Sequence, residues 1–282
     1  MFQIVLVLLV IPNSLLAQEE NRELRSDRLM RDSEYIELVE EKEGPDKVLH
    51  AEPLYIDLIR DLGARKGERE WNVGFGLNDE DAYEEYEVLI EYEFAPIDRL
   101  GLEIELPFTF YTGEPGDPLP SNKLDGIQVA AQYTFLVSKK NSISLALGYL
   151  HQFKFVPFMD YGTMPLYVGN EFNPFFVAAK RWGRSFHTLI YSGPVIERIF
   201  GSGQSNTQLE INTNLHYMIP GTTNFIGIEF NKEIEEGDFG MTIRPQMRVE
   251  LSDHILIGLV TGIGVARENE RLSMFFRLIY EP

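Results

Sequence analysis

The sequence of 282 residues contains no cysteine. A disulfide framework, a cysteine-ligated metal site and a thiol nucleophile are therefore excluded. Long apolar runs are also lacking: 44% of the residues are hydrophobic, yet no run approaches the roughly 20 residues of a membrane-spanning helix. The apolar residues must therefore be distributed over elements of another kind.

Positive charge is scarce as well. Lysine and arginine number 25 against 44 aspartates and glutamates, which gives a formal net charge of −19 at pH 7. Proteins that bind nucleic acid neutralise its phosphates with basic surfaces. The sequence therefore predicts no nucleic-acid partner.

Apolar and acidic residues, which are abundant, alternate along the chain. Between Tyr86 and Phe110, apolar side chains occupy every second position on both sides of a turn at 96–99, and glutamates lie between them. A period of two is typical of a strand. One face is too apolar for water and the other is too charged for a packed core. A closed barrel in a lipid bilayer satisfies both faces, with the apolar face outward and the polar face towards the lumen.

Similar alternation continues to the C-terminus. We predict about twelve strands, centred on 71–77, 86–94, 102–110, 127–137, 143–149, 172–180, 184–192, 208–217, 226–230, 241–251, 255–264 and 272–280. The predicted fold is all-β: a transmembrane, antiparallel, up-and-down β-barrel preceded by an N-terminal periplasmic or plug segment. A soluble β-sandwich is the alternative, although it would not need so many outward apolar residues on each strand.

The connections between the predicted strands differ in length. Short turns are predicted at 96–99, 138–141, 181–183, 220–222 and 252–253, and longer loops at 112–124, 156–171 and 193–203. Barrels of this kind have short periplasmic turns and longer outer loops. Two prolines, Pro174 and Pro245, fall inside predicted strands, where each would remove a donor from the hydrogen-bond ladder.

The N-terminal quarter of the chain divides into two segments. Phe2 to Leu16 is apolar and is followed by Ala17, which predicts a signal peptide over residues 1–17; a buried strand or an anchor is the alternative. Residues 18–69 are charged and form a predicted periplasmic segment with a short helix after Asp32. Residues 70–282 form the predicted barrel domain.

An octapeptide stands out in the second segment, and its residues are His50, Ala51, Glu52, Pro53, Leu54, Tyr55, Ile56 and Asp57. It resembles the motif after which the HAEPLYID family is named. The resemblance implies a bacterial envelope protein of the Bacteroidota type, without an assigned activity and without catalytic residues to carry over.

The local pattern around the octapeptide predicts a helix. Pro53 suits a first helical turn, Leu54, Leu58 and Leu62 would share one apolar stripe, and Gly63 would end the helix. Such a helix would either plug the lumen of the barrel or only pack against it.

Charged residues on the predicted lumen faces form two sets. The acidic wall consists of Glu85, Glu87, Glu91, Glu93, Glu103 and Glu105, and the basic wall consists of Arg244, Arg248 and Arg277. An arginine facing lipid near the midplane costs about 2–4 kcal/mol, so these side chains should point inward. If the two walls oppose each other, their field would orient polar solutes in a pore. Internal salt bridges that fill a closed lumen are the alternative.

No enzyme motif accompanies these patterns. None of the five histidines has a serine two residues further on, and neither Gly-x-Ser-x-Gly nor His-Glu-x-x-His occurs. His216 stands alone on a polar strand face, where a hydrogen-bonding role is expected rather than metal ligation. The sequence therefore predicts no enzymatic activity, no catalytic residue, no metal site and no cofactor.

These patterns together predict a protein of the cell outer membrane. Its expected function is a passive or substrate-binding channel for small polar solutes. The alternative is a non-conducting scaffold or surface barrel used in adhesion or envelope integrity. The expected partners are outer-membrane lipid and lipopolysaccharide, the barrel-assembly machinery and a small polar solute.

Overall fold

A computed structural model describes residues 30–282 except 32, 57, 81, 115–117, 202, 204 and 266–269. The predicted signal peptide lies outside the described residues. Residues 33–40 are helical. Within the described part of the chain, no helix has the length and apolar character needed to cross a membrane.

The strands form a single antiparallel sheet. Its strands are β1 (Arg69–Glu80), β2 (Glu84–Ile97), β3 (Leu100–Thr112), β4 (Lys123–Leu124), β5 (Gly126–Ser138), β6 (Ile143–Phe155), β7 (Tyr167–Trp182), β8 (Phe186–Ile199), β9 (Ser205–Met218), β10 (Phe225–Glu235), β11 (Asp238–Ser252), β12 (Ile255–Gly264) and β13 (Glu270–Tyr280). β4 is a two-residue bridge beside β3. The other twelve are the twelve predicted strands, which are thereby confirmed.

The sheet closes on itself. β1 pairs with β2 on one side, with Trp71 opposite Tyr92, and with β13 on the other, with Trp71 opposite Tyr280. Every other long strand pairs with its neighbours in sequence. Closure leaves no free edge, and it rules out the sandwich.

Side chains alternate across the barrel wall as predicted. Each long strand carries at least one large apolar side chain exposed on the outer face: Phe75, Ile90, Ile104, Tyr133, Leu147, Phe176, Ile190, Leu215, Ile226, Met247, Ile263 and Met274. Polar side chains at the alternate positions are buried inside, among them Asn72, Gln132 and His216. An apolar belt therefore surrounds a polar lumen, the pattern of a barrel whose solvent is lipid.

The two ends of the barrel differ. One end, here the turn end, carries the connections 98–99, 139–142, 183–185, 219–224 and 253–254 together with the C-terminus. The other, here the loop end, carries the longer connection 156–166, which contains a short 3-10 helix at Phe158–Asp160. One predicted loop is wrong: most of 193–203 belongs to β8, because residues up to Arg198 pair with β9.

Both prolines lie within strands, and each is accommodated by a gap in one ladder. Pro174 pairs with Tyr149 of β6, while the ladder from β7 to β8 lacks pairs between Phe172 and Phe176. Pro245 pairs with Ile228 of β10, while the ladder from β11 to β12 lacks pairs between Ile243 and Gln246. Each strand thus keeps its ladder on one side of the proline and lacks pairs on the other side, because proline has no N–H to donate.

Candidate functional site: a chain segment inside the barrel

Residues 47–65 occupy the lumen, and we name them the lumen segment. Its contacts reach around the wall: Ala51 hydrogen-bonds to β8 and β9, Leu54 to β11, and Gly63 to β5. The side chains of Leu54, Leu58 and Leu62 are at most 3% exposed, against buried apolar residues of the wall. The segment therefore fills the cross-section of the barrel nearer the turn end.

The first half of the octapeptide is clamped by histidines. The backbone N–H of Ala51 donates to Nδ1 of His187 at 3.0 Å, and Nδ1 of His216 donates to the Ala51 carbonyl at 3.1 Å. His50 Nε2 lies 3.0 Å from Oγ of Ser144. Since Nδ1 of His187 accepts and Nδ1 of His216 donates, the two rings bind Ala51 with opposite tautomers.

The second half is bound by wall side chains that accept from its backbone. The Leu54 N–H donates to Oε1 of Gln246 at 2.7 Å, and the Ile56 N–H donates to Oε1 of Glu229 at 3.2 Å. Gln246 in turn donates to Glu229 at 2.9 Å. The Asp57 position lies outside the described residues.

The helix predicted from Pro53 to Leu62 does not form. The Arg60 N–H donates to the Leu58 carbonyl and the Leu62 N–H to the Glu52 side chain, rather than to the carbonyls four residues back. Arg60 has a φ of 78° and Gly63 a φ of 82°. A left-handed conformation at a non-glycine residue interrupts any helix. The apolar spacing of Leu54, Leu58 and Leu62 is a consequence of packing in the lumen.

The octapeptide tyrosine stacks on one of the predicted basic residues. The Arg244 guanidinium lies 3.5 Å from the centroid of the Tyr55 ring, and Phe275 meets that ring edge-to-face at 6.2 Å. Arg244 also donates to Oγ of Ser273 at 2.7 Å. A buried cation over an aromatic face is stabilised by about 2 kcal/mol when water is excluded.

Arg60 connects the lumen segment to the wall by charge. Its side chain is 4% exposed; it bonds to Glu70, to Glu93 at 3.4 Å and to Asp61 at 3.4 Å. Lys47 pairs with Asp61 at 2.7 Å and with Glu68 at 3.1 Å. Breaking a buried pair by removing one partner costs about 3–5 kcal/mol.

The pKa values of two carboxyl groups in the lumen segment are shifted in opposite directions. Burial, reinforced by the charge of Asp61, raises the pKa of Glu52 to about 8. Burial also acts to raise the pKa of Asp61, but Lys47 and Arg60 outweigh it and hold that pKa well below its usual range. Glu52 is therefore mostly protonated at neutral pH, where its Oε1 accepts from the Leu62 N–H at 2.9 Å.

The predicted acidic wall is a continuous patch on β2 and β3. Glu91 lies directly opposite Glu105, and Glu93 opposite Glu103. The Asn72 amide donates to Glu91 at 2.7 Å and to Glu93 at 2.9 Å. The other two, Glu85 and Glu87, lie nearer the loop end, where Asn78 donates to both, at 3.1 and 3.5 Å.

One residue of the predicted basic wall, Arg277, does not stand across the lumen from the acidic wall. β13 is separated from β2 only by β1, so Arg277 stands beside the acidic patch and reaches Glu91 at 3.9 Å. Arg248 lies at the turn end, where it donates to the Thr223 carbonyl at 3.1 Å and stacks over Phe225. The sequence could not show these contacts, because they depend on the register between strands and not only on strand order.

The lumen segment separates two cavities. The turn-end cavity, of about 690 Å³, is lined by His50, Glu52 and Asp61. The loop-end cavity, of about 340 Å³, is lined by Tyr55, Ile56 and Ile59 from the same segment. The described residues between 50 and 62 therefore form a wall of both compartments.

Several residues that hold the lumen segment were missed by the sequence analysis: His187, Gln246, Glu229 and Arg60. His187, Gln246 and Glu229 are polar residues at inward positions of strands. The alternation of the sequence placed Gln246 and Glu229 on the lumen face, but nothing in the sequence distinguished them from the other lumen residues. His216 was expected to be hydrogen-bonded, and it bonds to Ala51.

The barrel wall has a glycine, Gly101, where the backbone of the lumen segment approaches it closely. A Cβ atom on Gly101 would lie 1.8 Å from the Ile59 carbonyl oxygen. We expect Gly101→Ala to displace residues 58–60 at a cost of about 1–3 kcal/mol, measured as faster amide hydrogen exchange of the lumen segment. Gly113→Ala, which would meet only the end of the Leu119 side chain, is the control. Unchanged exchange in Gly101→Ala would contradict the close approach.

A closed twelve-strand barrel with an apolar outer belt and a polar lumen has the architecture of an outer-membrane β-barrel. Within that class, the chain belongs to the HAEPLYID-like family, whose model matches residues 46–281. The resemblance inferred from the octapeptide is thereby confirmed. The match includes the lumen segment together with the barrel.

Solved structures of similar fold are outer-membrane proteins. An outer membrane channel from Pseudomonas putida F1 is 12% identical, with a TM-score of 0.59 over 80% of this chain and 100% of that one. The NanC porin is 8% identical, with a TM-score of 0.51 over 76% of this chain and 99% of that one. At these identities the likeness is one of fold alone. No curated protein matches the sequence significantly.

Proposed function

We propose that the protein is an outer-membrane channel for small polar solutes, which the lumen segment closes. The single observation that carries this proposal is that residues 50–62 form the partition between two polar cavities in one barrel. The expected outer-membrane lipid and lipopolysaccharide would contact the apolar belt, after cleavage of the signal peptide and insertion by the barrel-assembly machinery.

The way in which the segment is held supports a releasable closure. His187, Gln246 and Glu229 hold its backbone through side-chain hydrogen bonds. Each such bond contributes only about 0.5–1.5 kcal/mol net, because water can replace the partner. The buried acid Glu52 further weakens the closed state as pH rises, since its ionisation is opposed by burial.

A disulfide lock tests the proposal. Cγ of Leu54 lies 3.4 Å from the position of a Cβ on Gly258, so the two Cβ positions are at most about 5 Å apart, close to the roughly 3.5–4.5 Å that a disulfide joins. The double variant Leu54→Cys with Gly258→Cys would tether the segment to β12, and no native cysteine interferes. We expect voltage-dependent openings in planar bilayers that disappear on oxidation and return on reduction. The two single-cysteine variants are the controls and should not respond to oxidant.

The alternative function is a non-conducting scaffold barrel. The observation in its favour is the apolar packing of Leu54, Leu58 and Leu62 against the wall, which would suit a permanently filled lumen. Silence in both the full chain and a folded chain without residues 18–66 would support the scaffold and overturn the channel. Conductance that appears only after this deletion would support the channel.

A further inference from the structure

The loop-end cavity has a composition that closure of a pore does not require. Its volume of about 340 Å³ falls within the range of about 300–1,000 Å³ typical of small-molecule sites. Its floor is the lumen segment, with Ile56 and Ile59. Its walls combine carboxylates, aromatic rings and amides, each of which constrains what could bind.

Carboxylates dominate the charge of the cavity. The lining acids are Glu87, Glu103, Glu105, Glu171 and Glu210, on four different strands. Arg277 is the lining guanidinium, and Lys154 reaches Glu171 at 3.3 Å. Low-dielectric walls of one sign concentrate counter-ions, so the cavity favours a cation.

Aromatic surface lies between the carboxylates. Phe175 and Tyr191 stack on each other with ring centroids 4.7 Å apart, and both line the cavity together with Phe275 and Leu150. A bare metal ion would leave this surface unused. Aromatic faces attract organic cations through the ring quadrupole, and they also cover the apolar body of such a ligand.

An amide holds one of these rings in place. Asn173 is 6% exposed, lines the cavity and is hydrogen-bonded to Tyr191. Its Oδ1 lies over Gly193, where a Cβ would come within 3.0 Å of it. The Tyr191 ring is therefore fixed beside the carboxylates.

We propose that the loop-end cavity binds an organic ammonium ion with an apolar body. Its N–H groups donate to the surrounding carboxylates, and its body packs on Phe175 and Tyr191. The inference rests on the proposed function and deepens it, because it names the class of solute that collects above the closed lumen segment.

Calorimetry on the full chain folded in detergent tests this inference. The probe is 1,5-diaminopentane at low ionic strength, and its neutral match is 1,5-pentanediol. We expect the diamine to bind at one site and the diol to give no detectable heat. Equal binding of the diol would overturn the proposal, since the site would then select for the apolar body alone. Displacement of the diamine by calcium chloride would also overturn it, since the site would then be a metal site.

Variants locate the binding. Glu103→Gln with Glu105→Gln should weaken diamine binding by more than tenfold, and Phe175→Leu, which removes an aromatic face, by about fivefold. Glu236→Gln, which removes one charge from the exposed turn between β10 and β11, should leave affinity unchanged. Heat-modified electrophoretic mobility checks that each variant is folded. Unchanged affinity in both cavity variants would overturn the proposal.

The test of diamine binding and the test of the channel can fail independently. Diamine binding is measured on the closed protein and does not depend on conductance. A conducting protein that fails to bind the diamine would refute the solute class alone, whereas binding by a protein that stays silent after deletion of residues 18–66 would refute the channel alone.

Discussion

Replacing Arg60 with methionine is expected to release the lumen segment and to convert rare openings into steady conductance. Arg60 is the cation between Glu70 and Glu93 of the wall, and it is 4% exposed. Methionine keeps much of the volume but leaves both acids buried without this partner, at a cost of about 3–5 kcal/mol. That cost corresponds to a shift of two to nearly four orders of magnitude towards the released state.

A triple variant distinguishes the effect of uncompensated charge from a general destabilisation of the barrel. Arg60→Met combined with Glu70→Gln and Glu93→Gln removes the uncompensated charges together with the arginine. Planar-bilayer conductance should be high in the single variant and should fall back towards the parent level in the triple variant. A single variant that stays silent, with unchanged hydrogen exchange over residues 47–65, would show that Arg60 does not hold the segment in place.

Glu52→Gln is expected to do the opposite and to hold the lumen segment more firmly. The pKa of Glu52 is raised from 4.5 to about 8 in the closed state by burial and by the charge of Asp61. Because a raised pKa means that the closed state binds the proton more tightly, the stabilisation is fully present below about pH 4.5. It is lost as pH rises to about 8, at about 1.4 kcal/mol per pH unit. Glutamine keeps an acceptor for the Leu62 N–H and cannot ionise.

Hydrogen exchange of residues 48–65 between pH 5 and 9, corrected for intrinsic rates, measures this effect. The parent should open progressively above pH 5 relative to Glu52→Gln, and Glu236→Gln should follow the parent. His50, whose pKa burial and Arg181 lower to about 3, weakens the closed state below pH 6.5 in both chains. That contribution therefore cancels in the difference. Parallel pH profiles for parent and Glu52→Gln would contradict the assigned ionisation.

The positions of the twelve long strands followed from local sequence. Period-two alternation depends only on which side of a strand each residue faces, so Phe75, Ile90 and Ile104 could be placed on the outer face without knowledge of the fold. The predictions were least accurate around β7 and β8, where alternation is weak and Pro174 interrupts one ladder. There the pairing with β6 and β9 set the strand ends.

The octapeptide shows the limit of local reasoning. Its leucine spacing favoured a helix, and only the barrel around it explains why the chain is not helical there. His50 meets Ser144 across 94 positions of sequence, and Leu54 meets Gln246 across 192. Contacts over such separations carry no periodic signal.

The sequence alone therefore determined a closed barrel with an apolar outside and a charged inside, because these properties repeat with the strand period. The tertiary structure decided what the lumen contains and which charges meet. Closure of β1 onto β13 brought Arg277 beside Glu91, and backbone groups of residues 51–56 found their partners on four strands of the wall. Both depend on where distant strands come together, which is fixed only when the barrel has closed.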